Sequence, residues 1–332
     1  MILVVGAGLT GATIARELAD AGYEVIIVDR RSHVAGNAYD YTNQYGIRVH
    51  AYGPHLFHTN NRKVWEYLSK FTDWIPYDHR VKAQLADGSY VTFPPNLETV
   101  ERVGKANILD TFYRPYSRKM WNRELEELNP DIVNRVPGRE DNEDRYFPKD
   151  EYQGLPALGY THMVKQMLDH PAINIRLNTT IDPVEYKDYT HVFTAESIDE
   201  YYNNCYGMLD YRSIKFTHVH LPLTQVFPSA VVNFTHNLPY TRASEWRNLP
   251  GHGGDKWTTL TIEEPCNFIE NKLERFYPVN DEKNKKLYNQ YKQLHLTNPN
   301  NVTFVGRCGQ YVYIDMHQAV NSALQIVTKF VN

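Results

Sequence analysis

Three glycines in Gly6-Ala7-Gly8-Leu9-Thr10-Gly11 follow an apolar run and open a stretch with helical spacing, an arrangement that lets bare backbone approach a phosphate. Gly6 permits a tight turn, Gly8 clears the path of a pyrophosphate, and Gly11 allows a helix to pack closely on a strand. The helix N-terminus then faces the phosphates with its unpaired N–H groups. An acid stands at the matching distance: Asp29 closes a second apolar run, Val25 to Val28, and would accept a hydrogen bond from a ribose hydroxyl. A second glycine element, Gly36-Asn37, comes just after Asp29-Arg30-Arg31, and His55 and His58 follow in Tyr52-Gly53-Pro54-His55-Leu56-Phe57-His58-Thr59. Taken by residue type alone, the two histidines assign no chemistry, because a histidine satisfied within a core is the commoner case.

The elements that must hold these residues can be read from periodicity. Ile2 to Val5 is a β run, Ala12 to Ala21 has helical apolar spacing ending at Gly22, and together with Val25 to Val28 they make a dinucleotide-binding βαβ unit. Tyr160 to Leu168 reads as a helix, while Ile173 to Leu177, Val192 to Thr194 and Val302 to Val305 read as short buried strands, so the nucleotide fold is expected to be discontinuous. Val81 to Phe93 and Ile214 to Phe234 have the β-branched and aromatic content of an antiparallel sheet. Leu97 to Leu128 is expected to be helical, and Pro137 to Asp150 a polar, mobile loop. A second apolar helical stripe, Val320, Ala323, Leu324, Val327 and Phe330, begins after Met316.

Composition narrows the classes. With 35 Lys+Arg against 39 Asp+Glu over 332 residues, no basic excess exists to drive nucleic-acid binding. No apolar run approaches the ~18 residues of a membrane span, and no leader pattern precedes the first strand, so a cytoplasmic protein without membrane insertion is expected. The three cysteines, Cys205, Cys266 and Cys308, lack metal-ligand spacing, so free thiols and no metal are expected. The 25 Tyr and 5 Trp are rings with polar edges, suited to a site that stacks a base or a flavin.

From Tyr52 to Thr59 onward the sequence resembles the UDP-galactopyranose mutase family. The likeness continues through Tyr116 to Trp121, Gln153-Gly154-Leu155-Pro156 with Gly159-Tyr160-Thr161, Tyr211-Arg212-Ser213, Pro239-Tyr240-Thr241-Arg242, Phe276-Tyr277-Pro278, and Gly306-Arg307 through Tyr313-Ile314-Asp315-Met316. The resemblance implies an α/β fold with a discontinuous, Rossmann-like FAD-binding domain (1–75, 157–200 and 300–332), a reduced helical domain (97–135) and an antiparallel-sheet substrate domain (76–96 and 205–285). It implies an isomerase that interconverts pyranose and furanose nucleotide sugars, most simply UDP-galactopyranose and UDP-galactofuranose, for surface polysaccharide. In that family reduced FAD attacks the anomeric carbon through N5, expels UDP and forms a flavin–sugar adduct, without net electron transfer. The cofactor residues implied are Gly6, Gly8, Gly11, Asp29, Arg30, Gly36, Asn37, His55, His58, Arg307, Asp315 and Met316. The helix beginning at Met316 would direct its positive end at the reduced flavin.

The protein's own task in such a reaction is to clamp a departing diphosphate, which a bidentate, permanently charged guanidinium does well. The resemblance places Arg139 on the family's mobile-loop arginine and Arg242 on its fixed one, with His58 as the third catalytic position. Tyr152, Tyr277 and Tyr313 fall on phosphate-contacting tyrosines, Tyr116 and Trp121 on residues beside uracil with Phe112 and Tyr113 next to them, and Asn233 and Asp315 on substrate contacts. Three departures accompany the match: Ala35 stands where the family has a second glycine, His317 where an acid is common, and only sixteen residues separate Thr99 from Tyr116 where the family has a longer helical insertion. Because that insertion builds the family's dimer contact, a monomer or a different dimer is expected. A mutase-like protein for another nucleotide sugar or without flavin, and an FAD-dependent oxidoreductase, remain as alternatives.

Overall fold

The computed structural model describes residues 1–128, 139–298 and 300–332. Residues 129–135 of the expected helical region, and Pro137 and Gly138 of the expected loop, lie outside the described residues.

The chain begins with β1 (Ile2–Val5), the glycine turn, α1 (Leu9–Asp20) and β2 (Val25–Val28). The helix ends because Gly22 takes φ +88°, a conformation open to glycine. A hairpin of β3 (Asp40–Thr42) and β4 (Arg48–His50) follows, then β5 (Phe57–Thr59), α2 (Arg62–Leu68) and β6 (Trp74–Pro76). The stretch 81–93 is two strands, β7 (Val81–Gln84) and β8 (Tyr90–Phe93), because Asp87-Gly88 turns the chain between them. The expected helix over 97–128 is broken into α3 (Leu97–Val103), a π-turn (Leu109–Tyr113) and α4 (Arg114–Trp121). Gly104 at φ +88° ends the first piece, and Pro115 fits only the opening turn of the last.

Beyond the undescribed segment come β9 (Tyr152–Pro156), α5 (Tyr160–Leu168), β10 (Ile173–Arg176), β11 (His191–Thr194) and α6 (Ile198–Tyr201). The long strands β12 (Tyr211–Leu221) and β15 (Thr258–Asn267) enclose β13 (Val231–Phe234) and β14 (Arg242–Glu245) in sequence. The chain finishes with β16 (Tyr277–Pro278), α7 (Glu282–Thr297), β17 (Val302–Phe304), α8 (Gly306–Gly309) and α9 (Met316–Val331).

A five-stranded parallel sheet, ordered β10-β2-β1-β11-β17, draws its strands from three separate stretches of chain. Its inner strands β1 and β2 are apolar on both faces, as burial on both sides requires, whereas the edge strand β10 is mostly exposed. One face packs Ile2, Val4 and Ile27 against α1, α5 and α9, whose Val320, Ala323 and Val327 are buried. The other face packs Leu3, Ile26 and Val192 against Tyr211, Phe268 and Tyr291. The second sheet has seven strands, β16-β12-β15-β14-β13-β7-β8, antiparallel except for the parallel pairing of β13 with β7. A small sheet, β5-β9-β6, joins the two. Among the described residues no helix is long and apolar enough to cross a membrane.

Candidate functional site

At the C-terminal edge of the parallel sheet the glycine turn is held by main-chain and carboxylate bonds. Gly6 N–H donates to the Val28 carbonyl at 2.8 Å, and a Cβ on Gly11 would fall 1.9 Å from the Gly6 carbonyl oxygen, so only glycine lets α1 sit this close to β1. Asp29 is buried and braces the turn, accepting from Ala7 N–H at 2.8 Å and from Arg31 N–H at 2.9 Å. Gly36, at φ +54°, abuts Gly8: a Cβ added to Gly36 would lie 2.9 Å from the Gly8 Cα. Helix α1 starts at Gly8 with no side-chain cap and no acid in its first turn. A phosphate would supply what that helix end lacks, so the residues present fit a dinucleotide. Ala35 adopts φ +74°, which explains the preference for glycine there; an alanine pays ~1 kcal/mol for the left-handed conformation but keeps its N–H bond to the Ala7 carbonyl.

Two assignments shift in this half. Arg30 turns outward to Glu274 with half its side chain exposed, whereas Arg31 lies over the Tyr52 ring at 4.3 Å and donates to Asn37 Oδ1 at 2.9 Å and to Glu274 at 2.7 Å. Arg31 is therefore the arginine built into the cradle. Helix α9 is already capped by Asp315, whose carboxylate accepts from the third helical N–H while Gln318 reaches back at 2.8 Å. Its positive end is thus shared with an acid of its own, which reduces the charge expected for a flavin; Met316, the first residue of this helix, packs partly buried against the core.

His58 projects from β5 with Nδ1 2.5 Å from Asp150, its ring stacked 3.5 Å from Phe147 and edge-on to His317. Asp150 also accepts from Asn60 at 2.9 Å, so the imidazole is held from three sides. His55 is tied through Nδ1 to the Gly53 carbonyl, and its ring is pulled down to about 4, chiefly by burial and further by Arg307 and Arg242. His79, which the sequence did not single out, packs against Tyr146 and Phe147, the ring stacked on His58. Burial first, then Arg242 and His58, lower it to about 3.

Arg242 stands on the seven-stranded sheet in register with Asn233 on one side and Glu263 on the other, placing the three side chains on one face. Its Nε donates to Glu263 at 2.7 Å, leaving the two terminal nitrogens for another partner. Burial works against the guanidinium, but Glu263, Tyr277 and Tyr116 outweigh it and the arginine stays charged. Burial raises the Glu263 carboxyl while Arg242 pulls the other way, and its second oxygen is buried without a hydrogen-bond partner. Tyr277 and Tyr313 stack at 5.4 Å, with Arg307 at 5.3 Å from each ring and donating to the Phe276 and Ile314 carbonyls. Arg307 is thus a support for two tyrosines. Tyr116 on α4 opens to the cleft within electrostatic reach of Arg242, Tyr313, Tyr277 and Tyr146.

Other expected residues lie elsewhere. Phe112 is buried among Phe93, Val91 and Val231, and Trp121 is 7 % exposed with its indole N–H unpartnered among the described residues, so neither offers an open face for a base. Tyr152 alternates with Gln153 on β9 and faces away from His58, stacking on Trp65 at 5.3 Å. Tyr146 packs instead against His79, Phe93 and Phe147, the ring stacked on His58. Arg139 is spent on its own loop, donating to the Glu143 and Tyr146 carbonyls at 3.0 and 3.2 Å beside Tyr113. It is not brought onto Arg242. Arg31 lay within a quoted motif; Glu263 carries no sequence signal, because only strand register brings it to Arg242, and His79 and Tyr146 come from stretches between the strands, without periodicity.

Residues 111–313 match the family model of UDP-galactopyranose mutase, and residues 4–71 match that of an NAD(P)-binding Rossmann-like domain. A probable UDP-galactopyranose mutase of Klebsiella pneumoniae is 33% identical over 372 aligned positions, covering 100% of this chain and 94% of the relative. A dTDP-fucopyranose mutase of Escherichia coli is 30% identical, covering 99% and 98%. Among solved structures, a reduced UDP-galactopyranose mutase superposes with a TM-score of 0.79 at 14% identity, covering 99% of this chain and 93% of that one. With a dinucleotide-binding Rossmann-like half and a family match across most of its length, the chain belongs to the UDP-galactopyranose mutase family and is an isomerase of the mutase type.

Proposed function

We propose that this protein interconverts UDP-galactopyranose and UDP-galactofuranose with reduced FAD as its cofactor. The observation that carries the reading is the Arg242 guanidinium, fixed through Nε by Glu263 and set in register with Asn233, in a chain whose first helix starts uncapped at a glycine turn. Bound reduced FAD would supply a nucleophilic N5 for the anomeric carbon, with the electrons returned in each cycle. Gly6, Gly8, Gly11, Gly36, Asp29, Asn37 and Arg31 would hold its ADP half.

The chain's own residues manage the leaving diphosphate. Glu263 fixes Arg242 through Nε, so its free nitrogens present a preorganised fork to developing negative charge. Tyr277, Tyr313 and Asn233 would bond phosphate and sugar oxygens beside that fork, and Tyr116 would stack on the base. His55 and His79 stay neutral near pH 7, because burial holds both far below the ordinary imidazole range, so the arginine is not opposed by neighbouring cations. Asp150 binds His58 at Nδ1, leaving Nε2 to meet the flavin. Arg139 would exchange its loop carbonyls for phosphate oxygens when substrate arrives. We further infer a cytoplasmic monomer, or a dimer unlike the family's, with the domain boundaries 1–75/157–200/300–332, 97–135 and 76–96/205–285.

The E. coli relative favours one second reading, a dTDP-sugar of the 6-deoxy type. Incubating dithionite-reduced, FAD-loaded protein with UDP-galactofuranose and the furanose forms of dTDP-fucose and UDP-glucose, then separating the isomers, tests both. Fastest conversion of UDP-galactofuranose is expected; conversion of the dTDP sugar alone moves the substrate, and conversion of none rejects the reading.

A further inference from the structure

Helix α4 is held to the sheet by two half-buried cations. Lys119, between Tyr116 and Trp121, directs its ammonium at the loop joining β13 to β14 and donates to the carbonyls of Phe234 at 2.7 Å, His236 at 3.0 Å and Tyr240 at 3.1 Å. An ammonium has three N–H donors, so all are spent on one loop. The two strands leaving that loop carry Asn233 and Arg242 as register partners. From the opposite side Arg212 on β12 donates to the Met120 carbonyl at 2.6 Å and to the Lys119 carbonyl at 3.2 Å, gripping the last turn of the helix where its carbonyls lack partners. A half-buried ammonium bonded only to carbonyls costs desolvation energy that a purely apolar contact would avoid. Such an expensive contact makes sense where two elements must keep one geometry.

We propose that Lys119 is a positioning residue that locks the helix carrying Tyr116 to the hairpin carrying Arg242, so that base and diphosphate are recognised by one rigid unit. This rests on the reading of Tyr116 and Arg242 given above. Among the described residues the ammonium bonds three backbone carbonyls and no carboxylate, and His236 on the hairpin is the titratable group that it acts on. Burial accordingly pulls the Lys119 ammonium down to about 8, and burial first, then Lys119, lowers His236. Below pH 8 all three bonds are made; as pH rises through about 8 the neutral amine has only two donors for three carbonyls. Arginine at the position would keep its charge throughout.

The test compares Lys119→Met, Lys119→Arg and Arg242→Ala in the FAD-loaded protein, measuring affinity for UDP and for inorganic pyrophosphate, flavin content, and turnover from pH 7 to 9.5. Lys119→Met is expected to weaken UDP binding tenfold or more while changing pyrophosphate binding under threefold, with flavin content intact. Lys119→Arg is expected to restore UDP affinity at pH 7 and to abolish a loss of affinity that the parent shows above pH 8. Undiminished UDP affinity in Lys119→Met, or equal weakening of UDP and pyrophosphate, overturns the proposal. So does an alkaline loss in Lys119→Arg identical to the parent's, a result that still decides the matter if the methionine variant does not fold. Arg242→Ala separates the two levels: if it too leaves UDP binding unchanged, the functional reading fails; if it alone weakens binding, only the role of Lys119 fails.

Discussion

The two walls of the cleft do their polar work with different parts of the chain. On the dinucleotide wall the backbone acts: an uncapped helix start, glycines that abut one another, and an aspartate spent on holding the turn rather than on display. On the substrate wall side chains act, and each is held by another: Arg242 by Glu263, Tyr277 and Tyr313 by Arg307. The difference teaches where each wall is vulnerable. A backbone site fails when a Cβ enters it, whereas a side-chain site fails when a charge or its support is removed.

The largest expected effect falls on the substrate wall. Arg242→Ala is predicted to lower turnover by on the order of 10²-fold or more, as loss of one preorganised donor does, with flavin content unchanged. Arg242→Lys would rescue poorly, because it cannot both meet Glu263 and fork onto a phosphate. Steady-state kinetics beside flavin absorbance checks this, and near-normal turnover in either variant would break the clamp. Next in size is the backbone wall. Gly8→Val is predicted to strip most of the flavin while far-ultraviolet circular dichroism is kept, since its Cβ would meet nothing nearer than the Gly36 Cα at 3.7 Å. Gly11→Ala instead forces α1 off β1 and is predicted to lower the melting temperature by several degrees, on the order of 2 kcal/mol. If both variants behaved alike, the contrast between ligand path and packing contact would be lost.

A smaller effect is expected from Glu263→Gln, which keeps a bond to Arg242 Nε but removes the charge: about a tenfold loss of turnover, with Arg242 still in place by crystallography. The mildest is a slope with pH. In the folded chain His79 and His55 sit near 3 and 4, and burial first, then His252, His55 and Arg48, also lowers His50, while the unfolded residues titrate near 6.5. Unfolded chain therefore binds protons that the fold does not between pH 6.5 and about 4, and stability present above 6.5 is lost on acidification, at about 1.4 kcal/mol per pH unit for each histidine. Thermal unfolding from pH 7 to 4 should show the decline, and His79→Asn should flatten it.

How far each wall could be read in advance follows from the same contrast. Gly6 to Asp29 work within one βαβ unit, so glycine spacing and apolar runs reveal them, and β1 and β2 are recognisable because both their faces are apolar. Arg242, Glu263 and Asn233 meet only through the register of separate strands, which no local pattern encodes. The family likeness supplied Arg242 and Tyr277 but could not show that Arg242 is gripped by Glu263. Tyr152 failed for a simpler reason, since a one-residue step along β9 reverses the face, and Tyr146 comes from a loop with no periodicity to read.

The central claim is that both walls serve one reaction in which electrons are lent and returned. Its most direct test is to mix reduced, FAD-loaded protein anaerobically with excess UDP-galactofuranose, following UDP-galactopyranose by chromatography and the flavin by absorbance in the same vessel. Many product molecules per flavin are predicted, with the flavin still reduced at the end and the rate lost in Arg242→Ala. One flavin oxidised for each product formed, or no isomer at all, would contradict the account.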